Sequence, residues 1–153
     1  MSRNLLQAVT RGFTRNVAFT APSAEDPRLR GRTYAIPFED VWQASLYLVK
    51  GGLKRWELVE ADDQEGVIRG TVHGLLGRLP SSVTIRIVLD TNAQTRIDAL
   101  SASRTGRGDL GANARRLNRF FRALDARLED VRGHDIDQVR LDDRNTGVRP
   151  IAS

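Results

Sequence analysis

The chain has 153 residues, enough for one domain that buries roughly 68–70% of its unfolded surface. Its apolar fraction of 40% is ordinary for a globular protein, and no apolar run approaches the roughly 20 residues that cross a bilayer. The absence of cysteine excludes disulfides, thiolate nucleophiles and thiolate metal sites. We therefore expect no transmembrane segment and a cytoplasmic location, with peripheral membrane attachment or export as alternatives.

The chain is basic, with a formal net charge of +5, and lysine occurs only at Lys50 and Lys54, so arginine dominates. A basic surface admits anionic partners such as nucleic acid, lipid head groups or acidic proteins. The arginines are spread along the chain, and few aromatic residues alternate with them in the predicted strands. Base stacking on a sheet needs such aromatics, so the pattern disfavours nucleic acid as the partner.

Residues 1–32 are predicted to form a polar leader followed by a linker. Apolar residues recur in the leader at helical spacing with arginines between them, which predicts a short basic amphipathic helix. These apolar residues are Leu5, Leu6, Val9 and Phe13. A frayed terminus, a helix that leans on the domain and a membrane-surface anchor are the alternatives for this segment. Two prolines and a glycine within 21–32 are typical of a linker.

The domain itself is predicted over residues 33–132 and begins with a short strand at 33–36, which Pro37 ends. A helix with apolar residues at 3.6-residue spacing follows, and Gly51-Gly52 ends it. Apolar and polar residues then alternate in four successive segments, which predicts strands. These strands are expected at 56–60, 67–74, 83–89 and 95–104, with a hairpin loop at 90–94.

A second helix is predicted from about Leu110 to Val131, and the remaining residues, 133–153, are expected to form a polar tail. An apolar stripe recurs along this helix at steps of three and four, and in a chain this short such a stripe more often covers a sheet than forms a coiled coil. The stripe includes Leu117, Phe121, Leu124 and Leu128. The predicted fold class is α+β: an antiparallel sheet of four to five strands with both helices on one face, in the order β-α-β4-α.

Two blocks resemble a known family. VTIRIVLD at 83–90 and TRIDALSASRTGRGDLGANARR at 95–116 are similar to the DUF1499 family, whose members share a domain of unknown function. The signature is a strand of the form V-x-I-R, a Ser/Arg-rich strand, and then G-x-x-D-L-G-x-N-x-x-R opening a helix. The resemblance covers about residues 32–128 and implies a fold similar to TATA-binding-protein-like or helix-grip domains. Relatives often carry an acidic pair where this chain has Ser81-Ser82.

The resemblance also supplies the candidate ligand-binding residues, which occupy the family's recurrent polar positions: Arg86, Arg104, Arg107, Asp109 and Asn113. Three glycines are assigned to the strand-to-helix turn: Gly106, Gly108 and Gly111. The same glycines match G-x-G-x-x-G, but no parallel strand follows, and Asp109 would repel a pyrophosphate. Asp109 is instead predicted to cap the second helix by accepting its free N–H groups.

By strand parity alone, five basic residues share the open face of the sheet: Arg69, His73, Arg86, Arg96 and Arg104. They either line an anion-binding surface or belong to a solvated face with cross-strand pairs such as Arg86–Asp98. His134, Asp135 and Asp137 lack a second cluster to complete a metal site, and no Ser–His arrangement supports a catalytic triad. We predict no cofactor, no metal and no catalytic residue.

The sequence therefore favours a small non-enzymatic binding module. Its expected partner is an anionic small molecule, a lipid head group or another protein. An enzyme with a polar site around Arg104, Arg107, Asp109 and Asn113 is the first alternative, and a nucleic-acid-binding protein is the second. The environment of Asp109 separates an enzyme from a binding module, because a catalytic carboxylate lies in a deep pocket, whereas a capping carboxylate serves only the helix.

Overall fold

The computed structural model describes residues 17–20, 31–76, 78–103 and 110–145, and the side chains of the last stretch are described up to Arg132. The elements, in chain order, are β1 (Val17–Phe19), β2 (Arg32–Tyr34), α1 (Phe38–Tyr47), β3 (Trp56–Asp62), β4 (Val67–Val72), β5 (Ser81–Leu89), β6 (Thr95–Ser103) and α2 (Leu110–Asn145). A π-helical turn at Leu48–Gly52 ends α1, with Gly51 at a φ of 127°. The predicted Gly51-Gly52 helix end is confirmed.

The strands form one antiparallel sheet in the order β1-β6-β5-β4-β3, and β2 also pairs with β6. β1 lies opposite Leu100–Ala102 and β2 opposite Thr95–Ile97, so the two short strands share one edge of the sheet. The described sheet is thus five strands wide, and the α+β prediction is confirmed. β1 was not predicted: it falls inside the segment expected to be a leader, because three residues are too few to show an alternating pattern.

Both helices cover the same face of the sheet, and the core lies between these two layers. The odd-numbered residues of β5 point to the helices, so Val83, Ile85 and Ile87 are buried. The predicted stripe of α2 is confirmed as core, since Leu117, Phe121, Leu124 and Leu128 are all buried. Phe120 was not part of the predicted stripe but is also buried. Its ring stacks on Trp56 with centroids 5.9 Å apart.

The second helix is longer than its apolar stripe. It has 36 residues and ends at Asn145, whereas the sequence predicts an end near Val131 followed by a polar tail. The prediction stopped where the apolar period stops. A helix, however, continues until something breaks it. α2 continues through Gly133, and residues 134–145 contain neither proline nor glycine.

Candidate functional site

A group of polar side chains lies between the end of β6 and the first turns of α2. We call it the corner cluster: Ser101, Ser103, Asn113 and Arg116. The Oδ1 atom of Asn113 accepts hydrogen bonds from Ser101 Oγ at 2.7 Å and from Arg116 Nη1 at 2.5 Å. Asn113 Nδ2 donates to Ser103 Oγ at 3.0 Å, and Arg116 Nη1 also contacts Ser101 Oγ at 3.0 Å. Asn113 is 0% exposed, so the whole amide lies within the helix–sheet interface.

Local geometry explains why these four residues meet. Ser101 and Ser103 are two apart on a strand and therefore lie on the same face, the one that faces α2. Asn113 and Arg116 are three apart on a helix and lie on one side of it. Ser81, on the neighbouring strand, extends the group because its hydroxyl lies 3.4 Å from that of Ser103. The cluster joins β6 and α2 through polar groups that satisfy one another, as buried polar groups must.

The candidate ligand-binding residues do not all come together. Arg86 is exposed on the open face of the sheet, opposite Asp98. Asn113 belongs to α2 and is buried against the other face. The remaining candidates lie outside the described residues: Arg104, Arg107 and Asp109. The same is true of two predicted turn glycines, Gly106 and Gly108. The predicted capping role of Asp109 therefore stays a prediction.

Gly111, the third predicted turn glycine, is the second residue of α2. Among the described residues, a Cβ atom added to it would meet Arg115 Nη1 alone, at 3.4 Å, which is an ordinary contact. The sequence did not select Ser101, Ser103 and Arg116 as site residues. Strand parity could have identified Ser101 and Ser103, which share one face of β6. The N-x-x-R spacing of the signature could have identified Arg116.

The open face of the sheet carries matched charges. Arg69 pairs with Glu60, and His73 Nε2 lies 2.7 Å from Glu57 Oε2. Asp98 lies directly opposite Arg86 in the register, as predicted, but its carboxylate contacts Arg96 Nε at 3.1 Å. Arg69, His73 and Arg96 thus each have an acidic partner, and at these three positions the open face favours the solvated alternative over an arginine-lined anion surface.

A second polar group, the edge cluster, lies between β2 and α2 and consists of Arg32, Tyr34 and Asp125. Tyr34 Oη donates to Asp125 Oδ1 at 2.6 Å, and Arg32 Nη1 lies 3.1 Å from Asp125 Oδ2. Burial raises the pKa of the Tyr34 hydroxyl, and the adjacent Asp125 carboxylate raises it further, against a smaller opposite effect of Arg32. A cavity of about 210 Å³, which Glu129 and Arg132 also line, opens beside the cluster.

The two ends of the sheet differ in charge. We call the end formed by residues 53–55 on one side and by 73–76 and 78–80 on the other the basic end. The pairing of β3 with β4 brings these segments together, and His73 N donates to Arg55 O at 2.9 Å. It carries Lys54, Arg55 and Arg78, and neither segment contains an acidic residue, while Glu57 on the adjoining part of β3 contacts His73. We call the opposite end the acidic end. It contains the turns after β3 and β5 and the start of α1, and its carboxylates are Glu39, Asp40, Asp62, Asp63, Glu65 and Asp90.

The described part of the chain has neither a metal-binding group nor a membrane-spanning helix. No three histidine or carboxylate side chains gather there in a way that would hold a metal ion. Within the same residues, no helix is both long enough and apolar enough to span a lipid bilayer. The side chains of His134, Asp135 and Asp137 lie outside the described residues.

The comparison with protein families bears directly on the signature. A family model described as a protein of unknown function, DUF1499, matches residues 9–124, which is more than half of the chain. The chain belongs to the DUF1499 family. The resemblance seen in the sequence is thereby confirmed. No curated protein matches the chain.

The DUF1499 match covers some of these structural features completely and one of them only in part. It begins before β1, so the strand within the predicted leader lies inside the family region. The corner cluster and the basic end also lie inside it. The match ends at Leu124, one residue before the Asp125 carboxylate that holds the edge cluster together.

Proposed function

We propose that this DUF1499 chain is a non-enzymatic binding module whose basic end binds a partner that presents phosphate or carboxylate groups. The observation that carries the proposal is the separation of charge between the two ends of the sheet. Lys54, Arg55 and Arg78 occupy two adjacent segments that contain no acidic residue. Guanidinium and ammonium groups bind such anions through charge-assisted hydrogen bonds.

Distance keeps the acidic end from cancelling this attraction. The nine residues of β5 span about 30 Å from one end to the other. The Debye length at physiological ionic strength is about 8 Å, so a ligand at the basic end is screened from the carboxylates at the far end. The separation also gives the molecule a preferred orientation in the field of an anionic surface.

The corner cluster supports a binding module over an enzyme. Of the residues proposed for an enzymatic site, Asn113 is the one that the structure describes. Its amide is fully buried and is bonded to Ser101, Ser103 and Arg116. A group that touches a substrate must have a surface for that substrate to reach, and Asn113 has none. Its role is therefore to hold α2 against β6.

Titration with inositol hexakisphosphate, a soluble polyanion, tests the proposal. We expect binding at low salt that weakens as salt is added, because exposed charges are screened. Lys54→Glu combined with Arg78→Glu should reduce the affinity by at least about tenfold. The matched control is Arg119→Glu combined with Arg122→Glu, which makes the same charge change at two exposed positions on α2. Equal losses in the two double variants would indicate a response to net charge alone and would contradict the proposal.

A further inference from the structure

The loop between β4 and β5 exposes leucines at the basic end. We call the described residues of this loop, 74–76 and 78–80, the leucine loop. Its leucines Leu75, Leu76 and Leu79 are 61%, 100% and 57% exposed. The other large apolar side chains that are exposed in the described chain are dispersed, and one of them, Tyr47, is covered by the guanidinium of Arg127 at 3.7 Å. Single exposed leucines are ordinary, but three in one loop mark an interaction site.

The backbone of the leucine loop holds these side chains outward. Leu76 has a φ of 54°, in the left-handed region that leucine rarely adopts. Arg78 N donates to Leu75 O at 3.2 Å, which closes a tight turn around Leu76. A Cβ atom at Gly74 would lie 2.5 Å from Arg78 O, so the two arms of the loop approach too closely for a side chain there. The geometry points to a built protrusion with Leu76 at its tip.

The shape and the charge together indicate the partner. A protruding apolar tip needs a medium that it can enter, and cations beside the tip need anions at the same depth. An anionic lipid bilayer offers both, since its acyl region lies directly below a layer of phosphate groups. Arg78 lies within the loop itself, and Lys54 and Arg55 are on the adjacent segment. The acidic end points away from such a surface.

We infer that the basic end is a membrane-contact surface, on which the leucine loop enters an anionic bilayer while Lys54, Arg55 and Arg78 bind lipid phosphates. This inference rests on the proposed function, which it makes specific: the anion is a lipid head group in a bilayer. The two ideas differ in what they require. Anion binding requires only the cations, whereas bilayer contact requires the leucines as well.

Vesicle co-sedimentation separates the two requirements. The lipids are phosphatidylcholine alone and phosphatidylcholine with about a third phosphatidylglycerol. We expect binding to the anionic vesicles and little to the neutral ones. The combined variant Leu75→Ser, Leu76→Ser and Leu79→Ser should lose at least about tenfold in vesicle partitioning. It should keep its affinity for inositol hexakisphosphate. Leu89→Ser is the control, because Leu89 is 59% exposed at the acidic end and should leave both kinds of binding unchanged.

The possible outcomes distinguish the membrane-contact inference from the proposed anion-binding function on which it rests. Vesicle binding that is unaffected by the three leucine changes would overturn the membrane inference and leave anion binding intact. Binding to inositol hexakisphosphate without binding to vesicles would also overturn the membrane inference, and the partner would then be a soluble anion. Salt-sensitive binding to neither probe would overturn both proposals.

A second measurement does not depend on the stability of the triple variant. Because the chain has no cysteine, Leu76→Cys can be labelled at a single position with a polarity-sensitive fluorophore. Anionic vesicles should shift its emission to the blue, and the label on Leu89→Cys should not respond. An unchanged spectrum at position 76 in the presence of saturating anionic vesicles would contradict insertion of the loop.

Discussion

The hydroxyl of Ser101 donates a hydrogen bond of 2.7 Å to the side-chain carbonyl of Asn113, and neither residue is exposed to solvent. The bond connects the last residues of β6 to the first turn of α2. It therefore ties the start of the helix to the sheet. In this DUF1499 chain the signature asparagine is buried between α2 and β6.

Removal of the Asn113 side chain should destabilise the fold. Asn113→Ala leaves the buried Ser101 hydroxyl and the half-buried Ser103 hydroxyl without their amide partner, and loss of a buried partner costs about 1–3 kcal/mol. We expect a decrease of that order in the free energy of unfolding, measured by urea denaturation. Asn118→Ala makes the same change at a half-buried position of the same helix and should cost less than about 0.5 kcal/mol. Equal effects of the two variants would show that the corner cluster does not hold the helix.

Truncation of Phe121 should cause the largest loss of stability among these variants and so tests the assigned core. Its ring is 1% exposed and meets Phe120 edge to face at a centroid distance of 5.3 Å. Phe121→Ala should cost about 3–5 kcal/mol, because the cavity that it leaves cannot collapse between a helix and a sheet. Thermal unfolding followed by circular dichroism measures the loss. An unchanged melting temperature would mean that the apolar stripe of α2 does not cover the sheet.

Two glycines should respond in opposite ways to the same substitution. Gly66 has a φ of 66°, and a Cβ atom there would lie 2.1 Å from Ile87 O, so Gly66→Ala must move a strand and should destabilise by about 1–3 kcal/mol. Gly111 is helical and has room, so Gly111→Ala should be neutral or stabilising by up to about 1 kcal/mol. Denaturant unfolding of both variants measures the contrast. A loss at Gly111 comparable to that at Gly66 would refute the helical start.

The edge cluster predicts a dependence of stability on alkaline pH. The pKa of Tyr34 is raised above its ordinary value of 10.0, chiefly by burial and then by Asp125. The unfolded chain therefore releases this proton at a lower pH than the folded protein does. The contribution of Tyr34 is fully present below about pH 10 and is lost as the pH rises further. Tyr34→Phe should remove this part of the decline.

The control for this measurement is Tyr47→Phe, because the Tyr47 side chain is 52% exposed. The free energies of unfolding of the three proteins are compared at neutral pH and again above pH 10. At neutral pH Tyr34→Phe should cost about 1.5–3 kcal/mol, since the hydroxyl donates to a carboxylate. Parallel stability curves for the wild type and Tyr34→Phe across the alkaline range would refute the raised pKa.

Much of the fold follows from local pattern. The alternation in β5 and the stripe of α2 each identify a buried face, because a strand repeats every two residues and a helix every 3.6. Leu117, Phe121, Leu124 and Leu128 are buried as that pattern predicts. Patterns fail where an element is short or polar. β1 has three residues, and the last part of α2 has no apolar stripe to mark it.

The candidate site was less predictable than the fold. Parity correctly put Arg86 opposite Asp98, but the partner that holds the Asp98 carboxylate, Arg96, is two residues away on the same strand. The sequence also grouped Arg86 with Asn113, which lie on opposite faces of the sheet. Parity indicates the face of a strand residue such as Arg86, but the family signature groups polar positions without showing that a helix residue such as Asn113 packs against the opposite face.

By itself, the sequence determined the family, the α+β class and the identity of the buried faces, because these depend on residue order within single elements. Only the tertiary structure decided what the ends of the sheet look like. The basic end is built from residues 53–55 and from 73–76 and 78–80, which are separated along the chain and meet because β3 and β4 pair antiparallel. The exposure of Leu76 was decided in the same way. An exposed leucine and a buried one look alike in sequence, and only the packing around them distinguishes the two.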